Sequence, residues 1–159
     1  MLAKDKIFRE YDIRGVVGTD FDRELALRLG RALGTKILNE KPEHKVRKVA
    51  VGYDCRLTNL EMSGAMSQGL REVGLDVVDT GMGATPQLYY SVFSMGLIGG
   101  VQVTASHNPG DQNGFKMMIG TKPFYGDQIK ELGLIAAAGD FARGAGRPTP
   151  ANVFNQYIN

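Results

Sequence analysis

The chain has 159 residues, of which 43% are hydrophobic and 23% are charged, as is typical of one soluble globular domain. Its net charge of +2 is too small and too evenly spread to indicate nucleic-acid binding by electrostatics alone. No apolar run is long enough to span a membrane, the N-terminus carries charges where a signal peptide is apolar, and the single cysteine cannot form an internal disulfide. The sequence therefore predicts a cytoplasmic protein that binds neither nucleic acid nor membrane.

The first predicted element is a helix that begins after Thr19 or Asp20, following an irregular stretch over residues 7–18. Acidic residues crowd its first turn, where the helix dipole favours them. The apolar residues repeat at helical spacing and share one face: Leu25, Leu29, Leu33 and Ile37. A polar stretch over residues 41–45 then separates this helix from the next element.

Strands and helices alternate through the middle of the chain. The second helix of this series begins with Thr85 as cap and Pro86 in the first turn. A β-α-β-α-β series predicts parallel strands, right-handed crossovers and helices on both faces of the sheet. The predicted elements are strands at 46–52, 76–79 and 98–104 and helices at 58–73 and 85–95.

The last part of the chain adds one strand, one helix and a tail. The strand at 115–119 follows its predecessor too closely for a crossover helix, so it should run antiparallel. A helix at 127–138 precedes a tail rich in Gly and Pro, which resembles a linker. We therefore predict a domain over residues 1–143 and a linker over 144–159. The predicted fold is a three-layer α/β/α sandwich with a mixed, mostly parallel sheet of about four strands.

The loop over residues 104–114 is the richest in chemistry. In open α/β sheets ligands bind beyond the carboxyl ends of the strands, where this loop lies. It carries Ser106 and returns through an Asn-Gly turn to Lys116. Because the strands on either side of the loop should be neighbours, we expect Ser106 and Lys116 to lie close together.

Two chemistries compete for Ser106, and acyl transfer is the less favoured. A serine hydrolase needs a histidine that accepts the hydroxyl proton. His107 is the immediate neighbour of Ser106, and adjacent side chains in an extended segment point apart. The nucleophile motif G-x-S-x-G is also absent around this serine.

Phosphoryl transfer asks less of the protein, mainly positioning and neutralisation of charge. Lys116 supplies a cation, and Arg14 and Arg56 are candidates for further cations. Asn108 can donate hydrogen bonds to phosphate oxygens. Plainer explanations stay open: a Ser-His pair that only forms hydrogen bonds in a loop, and a lysine that protects the edge of a sheet.

Several stretches, in the same order along the chain, match the motifs of one family: FREYDIRG at 8–15, GYDCR at 52–56, TP at 85–86, TASHNP at 104–109, NGFK at 113–116 and FYGD at 124–127. On these motifs the chain resembles the first domain of the α-D-phosphohexomutases, in the bacterial phosphomannomutase/phosphoglucomutase branch. Phosphoglucosamine mutases are the nearest alternative within that family. A non-catalytic phosphosugar-binding module is the alternative from another functional class.

The resemblance implies an isomerase that moves phosphate between C1 and C6 of a hexose phosphate. Ser106 would be a phosphoserine that gives its phosphate to the sugar and recovers the other phosphate from a hexose 1,6-bisphosphate. Mg²⁺ would bind through the phosphate on Ser106. The catalytic residues would be Ser106, Lys116, Arg14 and His107, and the substrate-binding residues Tyr11, Arg14, Ser106, Asn108 and Lys116.

The resemblance also implies that functional parts lie in other domains. Family members have four domains, and the loops that supply the remaining Mg²⁺ ligands and recognise the sugar lie beyond the first. One metal-ligating position is far short of a magnesium site. We expect a chain of this extent to fold without mutase turnover and to need the remaining domains as partners. Exposure of the surface between the domains would favour weak self-association.

Overall fold

The computed structural model describes residues 5–159, in which a seven-stranded sheet lies between two layers of helices. The helices are α1 (Arg23–Glu40), α2 (Asn59–Glu72), α3 (Thr85–Ser94), α4 (Asp127–Ala138) and α5 (Phe154–Ile158), with a 3-10 turn at Asp5–Ile7. The strands are β1 (Ile13–Val16), β2 (Lys48–Tyr53), β3 (Asp76–Met82), β4 (Gly99–Val103), β5 (Gln112–Ile119), β6 (Lys122–Pro123) and β7 (Pro148–Pro150). None of the helices within these residues has the length and apolar character needed to cross a membrane.

The strands follow the order β1-β5-β4-β2-β3-β7, with β6 paired to β5 outside this path. β2 runs parallel to both β3 and β4, whereas β5 runs antiparallel to β4, β1 and β6. Among the described strands, β5 is thus the one that opposes the common direction. The predicted α/β/α fold and the antiparallel return after β4 are both confirmed.

The prediction of about four strands was too low, because three short strands were missed. β1 lies inside the stretch predicted to be irregular, and it is held by antiparallel pairing to β5. β6 and β7 have two and three residues and contain prolines. Such short segments show little periodicity of their own, so their strand geometry comes from the partner strand.

The first helix begins later than predicted, and two aspartates explain why. Asp22 is the cap residue, and its side chain accepts a hydrogen bond from the backbone N–H of Leu25 at 2.9 Å. Asp20 instead accepts from the backbone N–H of Val16 at 2.9 Å and so belongs to the turn after β1. α1 therefore extends from Arg23.

The core is divided by the sheet. α1, α2 and α4 cover one face, over a large apolar cluster that includes Val51, Val103 and Phe115. α3 covers β2 and β4 on the other face with a smaller cluster: Ala50, Val78, Leu88, Val92, Leu97 and Met118. α1 and α2 approach so closely that a Cβ on Gly69 would collide with the backbone carbonyl of Leu27.

Residues 144–159, predicted to be a linker, pack on the domain in this structure. The backbone N–H of Gly144 donates to the carbonyl of Glu72 at 2.9 Å, and β7 extends the sheet beside β3. The carbonyl of Arg147 and the N–H of Ala151 both bond to β3, so the backbone nitrogens of Pro148 and Pro150 face away from the sheet. The domain boundary at residue 143 stays a prediction.

Candidate active site at the carboxyl end of the sheet

We call residues 104–111, which connect β4 to β5, the Ser106 loop. Ser106 is exposed, and its φ of 57° is the one positive value found outside glycine in residues 5–159. A left-handed backbone costs an L-residue about 1–2 kcal/mol, and such strain is frequent at functional sites. The surrounding contacts must therefore hold this conformation in place.

Thr104 and Asp54 fix the base of the loop. The Thr104 hydroxyl donates to Asp54 Oδ2 at 2.6 Å and accepts from the backbone N–H of Ser106 at 2.9 Å. Asp54 also accepts hydrogen bonds from the side chain of Asn59 and from the backbone N–H of Arg56. The two loops that follow β2 and β4 are thereby joined directly beneath the serine.

Arg56 binds the backbone of the Ser106 loop. Its two terminal nitrogens donate to four carbonyl oxygens, those of Ser106 (3.0 Å), Asn108 (2.7 Å), Pro109 (2.7 Å) and Gln112 (2.8 Å). Arg56, a candidate cation in the sequence, therefore offers no terminal N–H group to a phosphate in this structure, because these groups are already used within the protein. Residue type alone does not distinguish these two uses of an arginine.

A second polar cluster forms around Asp12, which is only 4% exposed. Its Oδ2 accepts from Arg14 Nε at 2.7 Å and from Arg14 Nη2 at 2.6 Å, and it lies 3.6 Å from Lys116 Nζ. Arg14 Nη1 also donates to Asn108 Oδ1 at 2.9 Å. Two cations and one anion leave one net positive charge beside the Ser106 loop, which suits a phosphate ligand.

Asp12 was not singled out from the sequence, although it lies within the FREYDIRG motif. The available signal was spacing, because positions 12 and 14 project to the same side of an extended segment.

Lys116 lies on β5 opposite Gln102, between β4 and β1, so the explanation of an edge-strand lysine is wrong. The structure thus brings together Arg14, Lys116 and Asn108 as an assembly at the loop.

His107 lies closer to Ser106 than the sequence predicted. Ser106 Oγ and His107 Nδ1 are 3.3 Å apart, because the left-handed backbone at Ser106 removes the alternation of an extended strand. The argument that these two side chains point apart was wrong. Within residues 5–159 no side chain bonds to His107 Nε2, so a Ser-His-acid triad is not formed.

Tyr11 is 71% exposed and precedes Asp12 at the turn before β1. No hydrogen bond or ring contact of this side chain occurs among the described residues. Its predicted role in binding substrate therefore stays a prediction.

The side chains present do not fit a magnesium site. Residues 5–159 contain no group of three or more His, Cys, Asp and Glu side chains that could hold a metal ion. The two carboxylates built into this site are already engaged, Asp12 by two cations and Asp54 by Thr104 and Asn59. A hard cation with several oxygen ligands would need donors beyond these.

Comparisons with known proteins agree with one another. Residues 5–143 match the family model described as phosphoglucomutase/phosphomannomutase, alpha/beta/alpha domain I. A phosphomannomutase of Salmonella typhimurium is 39% identical over 142 residues, which cover 88% of this chain and 30% of that protein. A phosphoglucomutase of Neisseria meningitidis serogroup B is 36% identical over 159 residues, which cover 99% of this chain and 34% of that protein.

A crystal structure of a phosphoglucomutase/phosphomannomutase family protein from Burkholderia thailandensis superposes with a TM-score of 0.91 at 38% identity. The superposition covers 99% of this chain and 35% of that one. The chain therefore spans about a third of the length of these relatives.

Proposed function

The chain belongs to the phosphoglucomutase/phosphomannomutase family as its α/β/α domain I, and from this we propose that it is the phosphoserine-bearing domain of a phosphohexomutase. The proposed reaction moves a phosphoryl group between C1 and C6 of a hexose phosphate through a hexose 1,6-bisphosphate. The relatives named above as phosphomannomutase and phosphoglucomutase favour these sugars over glucosamine phosphate.

One observation carries the proposal: an exposed serine lies on a loop that Asn108 joins to Arg14, and Arg14 shares the Asp12 carboxylate with Lys116, so this cluster keeps one net positive charge. Phosphoryl transfer depends chiefly on positioning and on neutralising charge on the phosphoryl oxygens. The Asp12 carboxylate holds both cations in place, and Arg14 is tied to the loop through Asn108. The site thus has the composition that this chemistry needs.

The proposed step breaks the bond between phosphorus and Ser106 Oγ and forms a bond between phosphorus and a sugar hydroxyl oxygen. The sugar hydroxyl loses its proton, and Ser106 Oγ gains one. We assign Lys116 and Arg14 to charge neutralisation and to assistance of proton transfer. His107 Nδ1, 3.3 Å from Ser106 Oγ, supports the hydroxyl, Asn108 supports the loop, and Tyr11 lines the sugar cleft.

The partners of this domain are also proposals. Mg²⁺ would bind through the phosphate on Ser106, with its other ligands from outside residues 5–159, because Asp12 and Asp54 are engaged. Hexose 1,6-bisphosphate is the proposed intermediate, and residues 144–159 are the proposed connection to a following domain. We propose a cytoplasmic location, and we expect the 159-residue chain alone to show no steady-state turnover of glucose 1-phosphate.

Phosphopeptide mapping by mass spectrometry tests the proposal. The purified chain is analysed before and after incubation with glucose 1,6-bisphosphate and Mg²⁺, beside the variant Ser106→Ala. We expect phosphate on the peptide that contains Ser106 and none on that peptide in the variant. Phosphate on a different serine would contradict the assignment, whereas its absence from every sample would contradict loading of this chain in isolation.

A further inference from the structure

We propose that Arg56 is the positioning residue of the Ser106 loop, and that it acts by gathering the loop's carbonyl oxygens around its guanidinium group. The role of the loop in catalysis rests on the function proposed above. The interaction of Arg56 with the loop backbone does not depend on that proposed function, because it is argued from the hydrogen bonds alone. In this role Arg56 does not touch the transferred phosphate.

The arrangement of the four carbonyl oxygens around Arg56 requires the planar, forked set of N–H donors of a guanidinium group. Nη1 bonds to the carbonyls of Pro109 and Gln112, and Nη2 bonds to those of Ser106 and Asn108. All four N–H bonds of the two terminal nitrogens are therefore used. An ammonium group has three donors on one atom, so a lysine cannot reproduce this arrangement.

The four carbonyls converge only when the loop is folded as it is here. Their oxygen atoms carry partial negative charge, and without a cation between them they repel one another. One of the four belongs to Ser106 itself, the residue with the left-handed backbone. Arg56 therefore holds the strained residue directly and sets the direction of its side chain.

Arg56 is itself anchored in the scaffold. Its side chain is 11% exposed, and Nε lies 3.6 Å from Asp54 Oδ2, the oxygen that accepts from Thr104. The cation thus links the end of β2 to the segment from Ser106 in the loop to Gln112 at the start of β5. This placement makes Arg56 a support beneath the serine, whereas Arg14 and Lys116 lie around Asp12.

Amide hydrogen exchange of the 159-residue chain tests the proposal with Arg56→Lys. The reporters are the amides of Ser106 and Asn108 in the loop and of Gln112 at the start of β5, all of which bond within this region. We expect their exchange to accelerate by ~10-fold or more, because hydrogen bonds to a charged group are lost. Arg28→Lys is the matched control, since Arg28 also donates to a carbonyl, that of Ala136 at 2.6 Å, outside the Ser106 loop.

A second variant, Arg56→Ala, keeps the test valid if lysine disturbs folding. Guanidinium ion at concentrations far below denaturing ones should slow loop exchange in this variant again, whereas ammonium should not. Loop exchange that is unchanged in Arg56→Lys, or equally fast in Arg28→Lys, would overturn the proposal.

Phosphate loading from glucose 1,6-bisphosphate separates positioning from phosphate binding. We expect Arg56→Lys to lower the maximal loading rate and to leave the half-saturating bisphosphate concentration unchanged. An unchanged rate, or a raised half-saturating concentration at full rate, would overturn the positioning role. Failure of the wild-type chain to load would count against the proposed function in isolation, and the exchange data would still decide the role of Arg56.

Discussion

Replacement of Asp12 by Asn tests whether this carboxylate organises the cations of the site. The substitution keeps the shape of the side chain and removes its charge, so Arg14 and Lys116 lose the anion that they share. Removing one partner of a buried ion pair costs about 3–5 kcal/mol. Asp12 is 4% exposed, but the side chains of Arg14 and Lys116 are 12% and 26% exposed, so water reaches the cations.

We therefore place the loss for Asp12→Asn at or below the lower end of this range, at about 2–3 kcal/mol in the free energy of unfolding. For a domain of this size each 1 kcal/mol lowers Tm by roughly 2–4 °C, which gives a decrease of about 4–12 °C. Urea unfolding followed by circular dichroism gives the free energy, and a thermal scan gives Tm. The m-value should stay constant, because the folded structure is retained.

Asp127→Asn is the matched control, because Asp127 is 98% exposed and pairs only at the surface with Lys130. Sulfate should raise the Tm of Asp12→Asn more than that of this control, since an added anion can neutralise the two cations that have lost their carboxylate partner. Equal stability of the two variants would refute the reasoning. So would an equal response of both to sulfate.

Three further predictions follow from packing, backbone strain and titration. Gly69→Ala should destabilise the fold by about 1–3 kcal/mol, because the added Cβ meets the backbone carbonyl of Leu27. Gly64→Ala, in the same helix but with open space around the added Cβ, should stabilise the fold by about 0.5–1 kcal/mol. Urea unfolding measures both free energies, and equal effects of the two substitutions would refute the close contact between the helices. Ser106→Gly should be about 1 kcal/mol more stable than Ser106→Ala, since glycine accepts the left-handed backbone, while mass spectrometry should find both without phosphate at position 106. A hydrogen bond from Gln68, together with Arg31 and against the effect of burial, lowers the pKa of Glu72. The stabilisation by the Glu72 carboxylate is present above its unfolded pKa and is lost as the pH falls through its lowered folded pKa. Urea titrations should therefore show that the advantage over Glu72→Gln, about 0.5 kcal/mol at neutral pH, shrinks as the solution is acidified below the unfolded pKa. An advantage that grows on acidification would contradict this origin.

The sequence predicted the elements whose signal is local. α4 was predicted at 127–138 and lies at Asp127–Ala138, because its apolar periodicity ends at Gly139, which adopts a left-handed cap with φ 75°. The strands β2 to β5 were recognised, but β3 continues to Met82 and β5 begins at Gln112, each three residues beyond the predicted bounds. Asn113 and Gly114, predicted to form a turn, lie in β5 and pair with Gly15 and Arg14 of β1, so that prediction was wrong. β1 and β7 were not predicted, because each adopts strand geometry only through pairing with a neighbouring strand, β5 and β3 respectively.

The candidate site was predictable as a set of residues and less so as a set of contacts. Ser106, Lys116 and Arg14 were identified from residue type and resemblance, and their catalytic roles stay predictions. The two roles that the sequence missed depend on three-dimensional detail. Arg56 bonds to backbone carbonyls, which every residue has, and Asp12 acquires its importance from Lys116, a residue distant along the chain.

The prolines of β7 have a consequence for the sheet as a whole. β7 is the outermost strand beside β3 in the part of the chain that the structure describes, and Pro148 and Pro150 turn their nitrogens outward. Proline has no N–H, so this margin offers carbonyl acceptors without the donors that an added strand requires. The three residues that form this edge therefore also disfavour the addition of a strand from another molecule along β7, the kind of pairing through which exposed edges aggregate.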